Sequence, residues 1–151
     1  MPRTPLDAIT NYLELTPLVG TAGQPTAEQF SLLAAAGYKV VINLATPTST
    51  DALPNEAELV AQHGMVYVPI PVAWEHPTTE DVYKFFAALD AYQGQRIFVH
   101  CVLNYRVSVF MYLHSVLRED ILPEEAIWDV RAIWEPDDVW DEFMSSMTEE
   151  P

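Results

Sequence analysis

Basic residues are scarce in this chain. Seven Lys and Arg stand against 22 Asp and Glu in 151 residues, a formal charge of −15 with histidine neutral. So negative a surface repels nucleic acid and anionic lipid, so neither is expected as a partner. A phosphate-bearing ligand is repelled at long range too and could be held only by a strongly local anion site. The single cysteine, Cys101, excludes an intramolecular disulfide, and no Cys and His spacing of a structural zinc site occurs. The four histidines, His63, His76, His100 and His114, show no metal-ligand pairing on one helix or strand, so neither metal nor cofactor is expected. A reducing, cytoplasmic setting is the expectation. No apolar core segment separates Arg3 from Asp7 and Glu14, and so no secretory signal is expected. The most apolar uncharged stretch, 107–117, is 11 residues, short of the ~20 that cross a bilayer, and a soluble protein is expected.

What is present is apolar material. Half of the residues are hydrophobic and 19% charged, which is enough to offset the entropy of ordering a compact globule. The length argues for one domain over 1–151, with frayed ends at 1–10 and 148–151. Nothing in the pattern selects an oligomeric state.

Short β-branched runs alternate with longer helical segments, each switch marked by Gly, Pro or a capping residue, which is an α/β signature. After an extended segment at 12–19 interrupted by Pro17, residues 20–25 read as a turn-rich loop. Thr26 and Gln29 make a capping box for a helix that ends at Gly37. Val40, Val41, Ile42 and Leu44 form a continuous apolar run, expected as a buried parallel strand. Helical spacing over 55–63 ends at Gly64, and 65–69 is the next strand. Thr78 with Asp81 starts a helix reaching about Tyr92, closed by Gly94. Residues 96–100 are a third central strand, and 107–117 is helical but apolar almost all round, hence interior. Two amphipathic segments, 124–133 and 136–147, carry Trp128, Trp134 and Trp140, expected as packing anchors. The predicted architecture is a central, mostly parallel sheet of four to five strands flanked by helices.

In such a sheet, ligands bind at the carboxyl ends of the strands, so the loops after Leu44, Pro69 and His100 should share one rim. The third loop is the informative one. It runs His100-Cys101-Val102-Leu103-Asn104-Tyr105-Arg106-Val107-Ser108, from a strand end into a helix start. There the unpaired N–H groups and the helix dipole favour an anion, whether a thiolate or a bound phosphate, and the same field lowers a thiol pKa. Asn104 tolerates a positive φ, so it can keep a tight loop curved.

These residues resemble the cysteine-dependent protein phosphatases, whose signature is His-Cys, five residues, Arg, then Ser or Thr. The likeness also takes in Gly23-Gln24-Pro25, Gly37 with residues 40–44, and residues 69–71. The layout is most similar to a bacterial phosphatase-like family of unknown function, also called beta-lactamase-hydrolase-like. Ser108 keeps the signature's register, whereas the arginine is Arg106, one position early, with Val107 in its place. The resemblance implies attack of the Cys101 thiolate on phosphorus. Arg106 and the loop N–H groups of Val102, Leu103, Asn104, Tyr105 and Val107 would hold the phosphoryl oxygens. It further implies that Ser108 hydrogen-bonds the sulfur and that His100 orders the loop. The general acid would come from residues 69–77, where the first acid is Glu75; Asp81, beyond that loop, is the next candidate, although its capping role already explains it. The implied partner is a phosphorylated small molecule or protein, or an oxyanion.

Two alternatives stay open. Arg five residues after the cysteine is also found in many rhodanese-like sulfurtransferases, which would make Cys101 a persulfide carrier. The displaced Arg equally suits a catalytically degenerate module that binds a phosphorylated ligand or partner without turnover.

Overall fold

The computed structural model describes residues 5–148. Its centre is a five-stranded sheet of β1 (Leu13–Thr16), β2 (Val19–Ala22), β3 (Val40–Asn43), β4 (Val66–Pro69) and β5 (Ile97–His100), ordered β1-β2-β5-β3-β4. β2, β5, β3 and β4 run parallel, and β1 pairs antiparallel at one edge. The helices are α1 (Gln29–Ala35), α2 (Glu56–Gln62), α3 (Thr79–Ala91), α4 (Tyr105–Arg118), α5 (Pro123–Arg131) and α6 (Asp138–Thr148).

The strand residues divide by parity. Val40, Ile42, Ile97 and Val99 face a core with Phe85 and Phe86 of α3, Phe110 and Leu113 of α4, and Trp140 of α6. Val41 and Phe98 face a second core with Phe30 and Leu33 of α1 and Val60 of α2. A parallel strand covered on both faces needs no polar alternation, which is why 40–44 reads as a continuous apolar run. Each large side chain taken fully from water contributes about 1.5–3 kcal/mol, so these two cores supply most of the stabilisation. No helix among the described residues is long and apolar enough to cross a membrane.

Local signals account for most boundaries. Thr78 and Asp81 form both halves of a capping box, at 3.1 and 3.2 Å. Gly37, Gly64 and Gly94 all take positive φ just past a helix end. At α1 only half of the expected box forms: the Gln29 side chain accepts from the Thr26 backbone N–H, and Glu28 occupies the N-cap without a side-chain bond.

Three expectations are corrected. The turn-rich reading of 20–25 hid β2, whose Gly20 leaves the space that the Tyr38 hydroxyl fills. Trp128 is 67% exposed and anchors nothing, while Trp140 is fully buried. The predicted fraying of 1–10 does not reach its second half: Pro5–Ala8 form a 3-10 turn, and Leu6 and Ile9 are buried in the second core. Thr148 likewise ends α6. The remainder of that expectation falls on 1–4 and 149–151, outside the described residues.

Candidate functional site

The loops after β3, β4 and β5 meet at one end of the sheet around a cavity of about 380 Å³. Thr48, Ser49 and Thr50 line it from the first loop, Trp74 from the second, and Cys101, Val102, Leu103, Tyr105 and Arg106 from the third. The common rim expected from strand order is thus formed.

The third loop is bent by Asn104, whose φ of 71° lies in the left-handed region that Asn enters at small cost. Its Nδ2 donates to Asn11 O at 2.9 Å and Thr21 Oγ1 at 3.1 Å, tying the bend to β2 and the segment before β1. The loop carbonyls are claimed from outside. Gln24 N donates to Val102 O and the Asn11 side chain to Leu103 O, both at 2.9 Å. Gly23 permits this approach, since a Cβ there would strike Val102 O. With the carbonyls pinned, the N–H groups of Val102, Leu103, Tyr105, Arg106 and Val107 donate to no acceptor among the described residues. They crown the positive end of the 14-residue α4.

Arg106 shares this cavity with Cys101. It is only 7% exposed, yet its Nε and Nη1 have no hydrogen-bond partner among the described residues. Its Cζ sits 5.5 Å from the centroid of the Trp74 ring. Burial pulls the guanidinium below its ordinary pKa, and the facing Cys101 pulls it partly back up. A buried cation without a hydrogen-bonded counter-charge is costly, and the nearby open N–H groups present the same demand for negative charge. Register alone left the reach of the displaced arginine open. In the structure, the first turn of α4 begins two residues earlier than the predicted helix and carries Arg106 to the cavity wall.

The other expected residues fare unequally. The Val107 side chain is fully buried in the core, while its N–H is among the open donors of the loop. The Ser108 hydroxyl donates to Tyr105 O at 2.7 Å and accepts from Trp134 Nε1 at 2.9 Å, so its one proton is not directed at the sulfur. Glu75 is exposed and lines a separate depression with His76 and residues of α6, and no carboxylate is among the residues lining the Cys101 cavity. His100 is fully buried, with Nδ1 3.1 Å from Cys101 O and Nε2 2.6 Å from Glu56 Oε2.

Glu56 was not anticipated. It is 3% exposed in the first turn of α2 and also accepts from Gln24 Nε2 at 2.8 Å and Asn43 Nδ2 at 3.3 Å. Burial pushes its carboxyl up, but the His100, Gln24 and Tyr67 hydrogen bonds outweigh burial and hold it below its ordinary value. In sequence it resembles any acid favouring a helix start. The only available hint was the pair of amides, Gln24 and Asn43, flanking strand ends. Trp74 was also missed as a cavity wall. Its ring lies 5.4 Å from that of Trp134, which stacks on Tyr105 at 4.5 Å.

Comparison with known proteins places this geometry. Residues 10–105 match the family described as a DSP-PTPase phosphatase fused to NAD+ kinase. A DUF442 protein from Shewanella putrefaciens CN-32 is 38% identical, with a TM-score of 0.84 over 95% of this chain and 94% of that one. The beta-lactamase hydrolase-like protein of Xylella fastidiosa (strain Temecula1) is 28% identical over 108 residues, 70% of this chain; the match takes in 25% of that longer protein. The core catalytic domain of the PP-IP phosphatase SIW14 from S. cerevisiae, solved with citrate, shares the fold at 14% identity. Its TM-score is 0.75, over 91% of this chain and 85% of that one.

Proposed function

The chain belongs to the DSP-PTPase family described as fused to NAD+ kinase, and from that membership we propose that it hydrolyses a phosphate monoester through a Cys101 phosphoenzyme. The observation that supports this most is the buried Arg106 guanidinium, with two nitrogens unpaired, in the same cavity as the cysteine. A dianionic phosphoryl group supplies the missing charge and accepts from the open N–H groups of the loop.

In the first step the Cys101 thiolate attacks phosphorus, an S–P bond forms, and the P–O bond to the leaving group breaks. Arg106 and the loop amides hold the non-bridging oxygens as charge develops on them. Water then attacks phosphorus, the S–P bond breaks, and inorganic phosphate leaves with the thiolate restored. No carboxylate is among the described residues that line the cavity, and Glu75 lines a separate depression with residues of α6, so no carboxylic acid stands ready to protonate the leaving oxygen. Esters with acidic leaving groups therefore react best. The same gap favours a second reading, oxyanion binding without turnover.

The test compares hydrolysis of p-nitrophenyl phosphate by the protein and its Cys101→Ser variant, beside thiosulfate-to-cyanide sulfur transfer. Cys101-dependent hydrolysis without sulfur transfer supports the proposal. Vanadate binding with no hydrolysis moves the protein to the binding reading, and Cys101-dependent sulfur transfer refutes both.

A further inference from the structure

The hydrogen bonds around His100 fix its protons. Cys101 O can only accept, so Nδ1, 3.1 Å away, must carry hydrogen. Nε2 faces Glu56 Oε2 at 2.6 Å, and the two oxygens of that carboxylate already accept from the Gln24 and Asn43 amides. A carboxylate so supplied is ionised, and Nε2 carries hydrogen too. His100 is then an imidazolium with no exposed surface, tolerable there only beside its anion. On the other elements around it, β2 and β3 bring Ala22 and Asn43 into register and α1 brings the Phe30 ring. Among the described residues, the other titratable groups nearby are Tyr67 of β4, which reaches Glu56, and Cys101 and Arg106 beyond the strand end.

We infer that Glu56 is a positioning residue for the Cys101 site. It holds His100 as a buried cation that donates to the nucleophile's own carbonyl, and so keeps positive charge one residue from the sulfur. Glu56 does this through His100 and touches neither sulfur nor ligand. The hydrogen bond draws electron density onto Cys101 O and sharpens the Val102 N–H, one of the donors with no acceptor. The inference concerns the site of the phosphatase reading, but its readout, thiol alkylation, needs no turnover, so either can fail while the other stands.

The experiment is the rate of Cys101 alkylation by iodoacetamide between pH 5 and 9.5, for the protein, Glu56→Gln, His100→Asn and the double variant. Glu56→Gln keeps the shape and removes the charge. Its rate is expected to fall about tenfold at the acid end of this range and to rejoin the parent at the alkaline end, as both thiols ionise. Below its pKa a thiol's ionised fraction drops about tenfold when that pKa rises by about one. The double variant is expected to match His100→Asn, because Glu56 acts only through the histidine. Equal rates at every pH, or a deficit of the same factor at every pH, overturn the inference. A measurement on the unaltered protein covers the case in which the variants do not fold. Nitrogen-15 spectra at pH 7 should show both His100 ring nitrogens bearing hydrogen, and one bare nitrogen overturns the inference.

Discussion

Replacing Arg106 by Met separates what the arginine contributes to stability from what it contributes to binding. The guanidinium is buried with Nε and Nη1 unpaired, so the ligand-free protein carries a desolvation penalty that its site imposes. An uncompensated buried ion costs several kcal/mol, of which stacking near Trp74 returns about 1 kcal/mol. Met preserves the apolar contacts of the arginine stem, so the net expectation is a gain of about 1–3 kcal/mol. For a domain of this length each kcal/mol moves Tm by roughly 2–4 °C, giving a rise of roughly 2–12 °C. Oxyanion reverses the order. At a hundred times its Kd, vanadate should stabilise the parent by about 2.7 kcal/mol, or roughly 5–11 °C, and leave the Met variant unmoved. Differential scanning fluorimetry with and without vanadate reads all four states. A Met variant less stable than its parent, together with a parent Tm indifferent to vanadate, would refute the reasoning that the cation is stored for an anion.

Asn104→Ala should destabilise by about 2–4 kcal/mol, from two lost hydrogen bonds and a left-handed backbone, and Asn104→Gly by about 1 kcal/mol less. Urea unfolding decides, and Ala equal to or more stable than Gly contradicts the assigned strain. The Glu56 carboxyl is held below its ordinary value, so the folded chain keeps it ionised after the unfolded chain has bound a proton. Its contribution is whole above about pH 5 and disappears as pH drops through the lowered folded value. The stability gap between the protein and Glu56→Gln should therefore be widest at neutral pH and narrow below about pH 4, whereas a gap constant with pH counts against this.

Where the sequence was legible, the determining physics was local. The run through Val40, Val41 and Ile42, the capping pair Thr78 and Asp81, and the positive-φ glycines each settle their own segment with short-range information. The loop of Cys101, Asn104 and Arg106 belongs to this class, because a strand end, a bend and a helix head follow one another in nine residues. What escaped was decided at a distance. β2 depends on Tyr38 filling the space over Gly20, and Glu56 becomes a buried anion only because His100 arrives 44 positions later. Ser108 keeps its register but is claimed by Trp134, 26 residues on. Glu75 lies in the expected loop, yet it lines a depression beside α6 and not the Cys101 cavity.

The clasp between Asn11 and the cysteine loop has a consequence for how the molecule comes into being. Asn11 gives its amide to Leu103 and receives that of Asn104, bonds that close loops of 92 and 93 residues. Closing so long a span costs entropy before it returns anything, so contacts of this kind form late along a folding route. A nascent chain still short of residue 104 cannot complete the nest, however well its earlier strands have paired. Under the proposed function, affinity for an anion arrives with this late step of assembly, and its appearance during refolding would time that step.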